Sequence, residues 1–159
     1  MTVDQALLDD AQKLTADGMV ELYEIELNPT GMLFLKIEDE VEWQGRTYEA
    51  IGIQMTGTQR SVDGEQSRPK LHVSNPEGRF SALTKTGVLE KALVHRKRVL
   101  RKHLDEDTNI FLQQTWYISR VAEITSERIS CELRSLSDGQ FFTVPSRVFM
   151  PPEFPTVTL

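Results

Sequence analysis

The run Val20-Glu21-Leu22-Tyr23-Glu24-Ile25-Glu26-Leu27, closed by Asn28-Pro29-Thr30-Gly31, decides the fold. Its Val, Leu, Tyr and Ile suit a pleated, partly buried surface, and the four residues after it form a turn by composition. Strand signals continue downstream. Met32 to Ile37 reads as a second strand, and Glu42-Trp43 and Arg46-Thr47-Tyr48 flank Gln44-Gly45, a pair suited to a two-residue hairpin turn that needs positive φ. Ile51, Ile53 and Met55 alternate with Gly52, Gln54 and Thr56, which predicts one buried and one wet face. Residues 57–66 lack an apolar period and predict a loop or a long hairpin tip. Leu71 and Val73 form a short strand ended by Ser74-Asn75-Pro76-Glu77-Gly78, and Phe80, Leu83 and Thr84 suggest a short helix. Ile110 to Leu112, Trp116 to Ile124, Ile129 to Leu136 and Phe141 to Val144 read as four more strands, with Asp138-Gly139 turning between the last two.

The two ends differ from this middle. Thr2 and Gln5 have capping-box spacing, and Val3, Leu7, Ala11 and Leu14 share one helical face, so residues 1–18 predict a helical arm stopped by Gly18. That face must pack on its own domain or on a neighbouring subunit. Pro151-Pro152-Glu153-Phe154-Pro155 suits an extended tail over residues 151–159. The expected class is therefore mainly β with an N-terminal helix, an antiparallel β-barrel or sandwich over residues 19–150.

The chain has 159 residues and 39% hydrophobic content, enough for one core without disulfides or metal. Asp4 stands where a signal peptide needs basic residues, and no run approaches the ~18 apolar residues of a membrane span, so a soluble, cytoplasmically made protein without a membrane anchor is expected. Candidate chemistry is thin. His72, His95 and His103 lack metal-ligand spacing, Cys131 is the single cysteine, and Asp9-Asp10 and Glu38-Asp39-Glu40 do not match a calcium loop. No phosphate loop, dinucleotide fingerprint or nucleophile elbow is present, which predicts no enzyme and no cofactor. Trp43 and Trp116 read as core.

One feature stands out: the segment Lys91 to Lys102 holds Lys91, Arg96, Lys97, Arg98, Arg101 and Lys102 with no acid. Those are 6 of 18 basic residues, leaving 12 against 24 acids and a charge of −12 elsewhere. Such a block can meet an acidic partner or phosphates, or merely solvate the domain. Its secondary structure is two-sided, since Val88, Leu89, Ala92, Leu93, Val99, Leu100 and Leu104 fit a helix broken only by Arg96.

Several of these segments resemble the amino-terminal part of minor tail protein L of lambda-like phages. The likeness is carried by Tyr23-Glu24-Ile25-Glu26-Leu27, by Trp43-Gln44-Gly45-Arg46-Thr47-Tyr48 and by Ser67-Arg68-Pro69-Lys70-Leu71-His72-Val73-Ser74-Asn75. Arg96-Lys97-Arg98-Val99 with Leu104-Asp105, and Arg147-Val148-Phe149-Met150, complete it in order from about Val20 to Met150. The resemblance implies a tail-tube or hub type of fold, a virion tail-tip location after synthesis in the host cytoplasm, and a non-catalytic role in assembly. It implies a ring, expected to be trimeric, between the distal tail protein and the central hub that bears host recognition, with the tape measure protein as a further neighbour. It also moves the segment 88–104 from helix to strand. Family members continue into a cysteine-rich region associated with an iron–sulfur cluster; with only Cys131 here, that cofactor is expected to be absent, as in a shorter tail-tip protein of another phage or prophage-derived particle.

As a strand, the segment would set Arg96, Arg98 and Lys102 on one face and Lys97, Arg101 and His103 on the other. Leu7, Leu14, Arg96, Lys97, Arg98, Arg101 and Lys102 are thus the candidate interface residues, with exposed Arg96 and Arg98 tolerating reversal to Glu without loss of fold. The alternative is a nucleic-acid-binding module using residues 91–102, without sequence specificity because no aromatic platform is interleaved with the arginines.

Overall fold

The computed structural model describes residues 18–27, 31–58 and 68–136. The expected arm, the strand Phe141–Val144, the Asp138-Gly139 turn and the proline-rich tail lie outside them. Nine strands follow in chain order: β1 (Met19–Glu26), β2 (Met32–Lys36), β3 (Val41–Trp43), β4 (Arg46–Ala50), β5 (Ile53–Thr56), β6 (Lys70–Ser74), β7 (Leu93–Leu100), β8 (Leu112–Ile124) and β9 (Arg128–Ser135). Two single-turn helices, α1 (Ser81–Lys85) and α2 (Arg101–Asp105), flank β7.

The sheet order is β3-β4-β2-β1-β7-β8-β9-β6-β5. Its neighbours are antiparallel except β2 and β4, which run parallel. Two chain reversals around β3 bring β4 back beside β2 in the same direction. The antiparallel class expected from the sequence holds, with this one parallel pair inside it.

The two ends of the sheet meet through the chain itself. β4 and β5 are one extended segment that changes partner at Ile51-Gly52: the Ile51 N–H donates to Lys36 O at 2.9 Å, and Gly52 O accepts the Ser74 N–H at 2.7 Å. β4 thus holds β2, β5 holds β6, and the sheet curls into a barrel. Its interior is a single apolar cluster drawn from all round the wall, including Ile25, Leu35, Ile53, Leu71, Val94, Ile118, Ile129 and Leu133, and filled by Phe80 and Leu89 from the β6–β7 connection. In that connection Asn75 is fully buried; its side chain accepts the Phe80 N–H and donates to Ser81 and to Thr125 O.

A second, smaller cluster lies on the opposite face of β1 and β7. Leu22, Trp43, Tyr48 and Val99 form it, with Phe34, Leu104 and Phe111 packed around them. The β3–β4 hairpin closes over this face, and its turn has φ 53° at Gln44 and 68° at Gly45, the positive pair that the sequence demands. β1 is consequently covered on both sides, with Leu22 to Ile25 all buried.

The basic segment is strand from Leu93 to Leu100 and then a helical turn. The helix pattern over 88–104 is overruled by long-range pairing: β7 lies between β1 and β8, with every residue from Leu93 to Leu100 opposite one of β1. The strand expected to run on to Leu104 stops at Leu100, so the facial assignment of Arg101, Lys102 and His103 does not hold. The strands expected over Ile110 to Leu112 and Trp116 to Ile124 are one strand, β8, which begins only at Leu112, so Ile110 and Phe111 precede it, and which is bulged near Ile118 and Val121.

Gly52 suits the point where the chain changes partner, because a Cβ there would collide with the Ser74 side chain. Gly52→Ala is expected to cost about 1–2 kcal/mol by overpacking, and Ser74→Ala in the same chain should recover most of it. Urea unfolding of the two single variants and the double variant measures both.

Candidate assembly site: the basic segment and its acidic partners

The alternation of a strand sends Arg96 and Arg98 to the same side as Val94, the barrel side, and Lys97 to the side of Val99 beneath the hairpin. In β1 the same rule puts Glu21 with Tyr23 and Glu24 with Leu22. The register sets Glu21 opposite Arg98, Leu22 opposite Lys97 and Tyr23 opposite Arg96, so each acid meets bases of its own face.

Beneath the hairpin, one oxygen of Glu24 collects three donors. Lys97 Nζ lies 2.8 Å from Oε1, the Tyr48 hydroxyl donates to it at 2.6 Å and Arg46 Nη1 at 2.9 Å. Glu24 is 3% exposed and Lys97 7%. The ammonium also sits 4.8 Å from the Phe111 ring centroid and 5.7 Å from that of Trp43, within cation–π reach of both. Burial pushes the Glu24 carboxyl upward, but the hydrogen bonds of Lys97 and Tyr48, the charge of Lys97 and the Arg46 bond outweigh it and hold the group below the usual glutamate value. Burial and the bond to Glu24 push the Tyr48 phenol well up. The hairpin is pinned at its tip as well, where Trp43 Nε1 donates to Thr108 O and the Gln44 N–H donates to Asp107 Oδ1 at 2.7 Å.

On the barrel side, Glu21 is shared. Arg96 Nη2 donates to its Oε1, Arg98 Nε lies 3.7 Å from the same atom, and the Tyr23 hydroxyl donates to Oε2 at 2.8 Å. Burial raises the Glu21 carboxyl; Arg96, Tyr23 and Arg98 together bring it below its ordinary value. Arg98 Nη2 reaches Gln114 Oε1 only at 3.4 Å. Arg96 Nε, Arg96 Nη1 and Arg98 Nε are buried and have no hydrogen-bond partner among the described residues.

These facts revise the expectation of exposed charge. Arg96 is 9% exposed and ion-paired, so reversing it to Glu would set a second carboxylate against Glu21 in a closed site. Arg98 is intermediate, Arg101 exposed and Lys102 intermediate; the Arg101 N–H donates to Gly18 O at 2.9 Å. Leu7 and Leu14 lie outside the described residues. The partners Glu21, Glu24, Arg46 and Tyr48 were missed as site residues by sequence reasoning, although the Glu at positions 21, 24 and 26 of an otherwise apolar run was a signal.

The remaining candidates fall into structural roles. His95 Nδ1 shares a hydrogen bond with Thr115 Oγ1 at 2.9 Å, Asp39 of the exposed acidic turn pairs with Lys36, and burial pushes the Cys131 thiol up to about 11. His103 is buried with neither ring nitrogen bonded. Trp43 is core as expected, and Trp116 packs on the barrel cluster half-buried. Among the described residues no group of three His, Cys, Asp or Glu could hold a metal ion, and no helix is long and apolar enough to cross a membrane.

The polar clusters of this β-barrel join its own strands and one docked hairpin, and the comparisons with known proteins place the fold. Residues 29–153 match the model of phage minor tail protein L, and the chain belongs to that family. It is 25% identical over 166 aligned residues to tail tip protein L of Escherichia phage lambda, covering 93% of this chain and 72% of the lambda protein. In the virion of a native gene transfer agent particle, one chain superposes with a TM-score of 0.59 at 14% identity, a likeness of fold. The match covers 85% of the present chain and 46% of that one, so the present chain spans about half its length.

Removing one member of the buried node should expose its energetics. Glu24→Gln leaves Lys97 without a counter-charge and is expected to cost about 3 kcal/mol or more, of which adding Lys97→Met should restore a large part. The carboxyls of Glu21 and Glu24 titrate lower in the folded chain than unfolded, so the stability they contribute is complete above the unfolded value of about 4.3 and is lost as pH falls through the folded values beneath it. Urea midpoints should therefore be flat near neutrality and drop below pH ~4, with a shallower drop in Glu24→Gln.

Proposed function

We propose that this chain is a structural subunit of the phage tail tip, forming a three-fold ring that joins the distal end of the tail tube to the central hub. The observation that carries this reading is the family match over residues 29–153, reinforced by the likeness to lambda tail tip protein L across 93% of the chain. The distal tail protein and the hub that bears host recognition are its direct neighbours, and the tape measure protein reaches it from the tube. The role is mechanical. The strands of the wall are mostly paired with one another, so we assign contacts with neighbours to residues 1–18, to residues 151–159 and to the end of the basic segment at Arg98, Arg101 and Lys102.

The ion pairing of Arg96, Lys97 and Arg98 with β1 acids favours this reading over nucleic-acid binding, since three of the six cations of the segment are paired within the fold. Electron microscopy of purified particles should place the chain at the tail tip, and phage lacking the gene should fail to complete infectious tails. Infectious, full-tailed particles without the chain would overturn the proposal.

Charge and arm variants refine it. Arg101→Glu should leave the melting curve within a range of about 1 kcal/mol, as exposed charges do, while lowering incorporation into tails. Leu7→Asp with Leu14→Asp should reduce stability or incorporation, because an isolated helix of such length is marginal in water and needs a surface to pack on. Complementation titres and tail composition by mass spectrometry read both.

A further inference from the structure

The two acids of β1 differ in one respect: Glu24 is saturated, whereas Glu21 is asked to serve two guanidinium groups. Arg96, Arg98 and Glu21 carry a net charge of +1, and three of the guanidinium nitrogens are buried without a hydrogen-bond acceptor among the described residues. A buried donor left unbonded costs roughly 1–3 kcal/mol, and a native fold rarely keeps several together unless something fills the gap. The cluster is not sealed, since the Arg98 and Glu21 side chains are 33% and 29% exposed.

We infer that Arg98 and Arg96 form a receptor for one carboxylate, supplied by an acidic side chain of a neighbouring protein in the tail. The inference rests on the assembly reading above for the source of that carboxylate. Glu21 shows that a carboxylate fits between these guanidiniums, and a second one would neutralise the remaining charge. Planar guanidinium groups accept carboxylates in paired hydrogen bonds. A nucleic-acid strand suits the place less well: its successive phosphates need a row of exposed cations, whereas this cluster opens to solvent mainly through Arg98, which suits one carboxylate, and Glu21 would repel the flanking phosphates.

The test uses the full chain and the Nε–H signals of its arginines in a proton–nitrogen correlation spectrum, titrated with a hexaglutamate peptide and, separately, with oligothymidylate. Hexaglutamate should shift the Arg98 and Arg96 signals saturably and ahead of the other arginines. In Arg98→Gln the Arg96 response should weaken about tenfold or vanish, as loss of a charged hydrogen bond implies. Glu21→Gln removes the competing acid and should tighten peptide binding, so this variant decides the matter if Arg98→Gln proves unfolded by its melting curve. A uniform, non-saturating drift of all arginines, an unchanged response in the folded variants, or tighter binding of oligothymidylate at the same signals would overturn the inference. Incorporation of wild-type chain into tails would survive any of those results, so failure here is distinct from failure of the tail-tip assignment.

Discussion

The Glu24 carboxylate, holding Lys97, Tyr48 and Arg46 on one oxygen, is the contact on which the rest of the outer architecture depends. It lies where β1, β4 and β7 face one another, under an aromatic lid of Trp43 and Phe111. A buried ion pair adds little net stability compared with well-packed apolar residues, but breaking one is costly because the surviving charge is left in a dry site. Its value here is geometric. The pair fixes the register of β1 against β7, and the donors on β4 fix where the hairpin comes down. A one-residue slip of β7 would turn Lys97 into the barrel and Arg96 beneath Trp43, each without its acid.

The barrel poses a different problem, that of closing a sheet without leaving two raw edges. The chain solves it with a single extended segment that hydrogen-bonds β2 along its first half and β6 along its second. Gly52 permits the crossing because the Ser74 side chain leaves no room for a Cβ. The strands left at the two ends of the sheet, β3 and β5, are three and four residues long, and β3 carries Glu42 beside the exposed run Glu38-Asp39-Glu40, a placement that discourages unplanned strand addition.

Those two devices fix the wall and the hairpin in different ways. The wall is held by a continuous core and the hairpin by a saturated ionic node, and the partly satisfied arginines near Glu21 are one place where the fold still has hydrogen bonds to offer. Three segments that carry the family resemblance, around Glu24, Trp43 to Tyr48 and Arg96 to Val99, meet at or beside the node. What reads along the sequence as scattered motifs is one contact in space.

The sequence by itself determined the β class, the Gln44-Gly45 hairpin, the alternation over Ile51 to Thr56, the turn at Asn75 and the short helix after it, because each follows from local periodicity or a turn's need for particular residues. It also identified Trp43 as core. Tertiary structure alone decided that the strand expected over residues 88–104 runs only from Leu93 to Leu100, that Arg96 and Lys97 turn inward, and that β4 runs parallel to β2. The parallel pair follows from the path of the chain around β3; the first two share another physical reason. β1 and β7 are covered on both faces, so their side chains show no simple apolar–polar alternation, and the acids that neutralise the basic segment lie more than seventy residues away in the chain. Local pattern cannot report a charge whose partner is supplied by a distant strand.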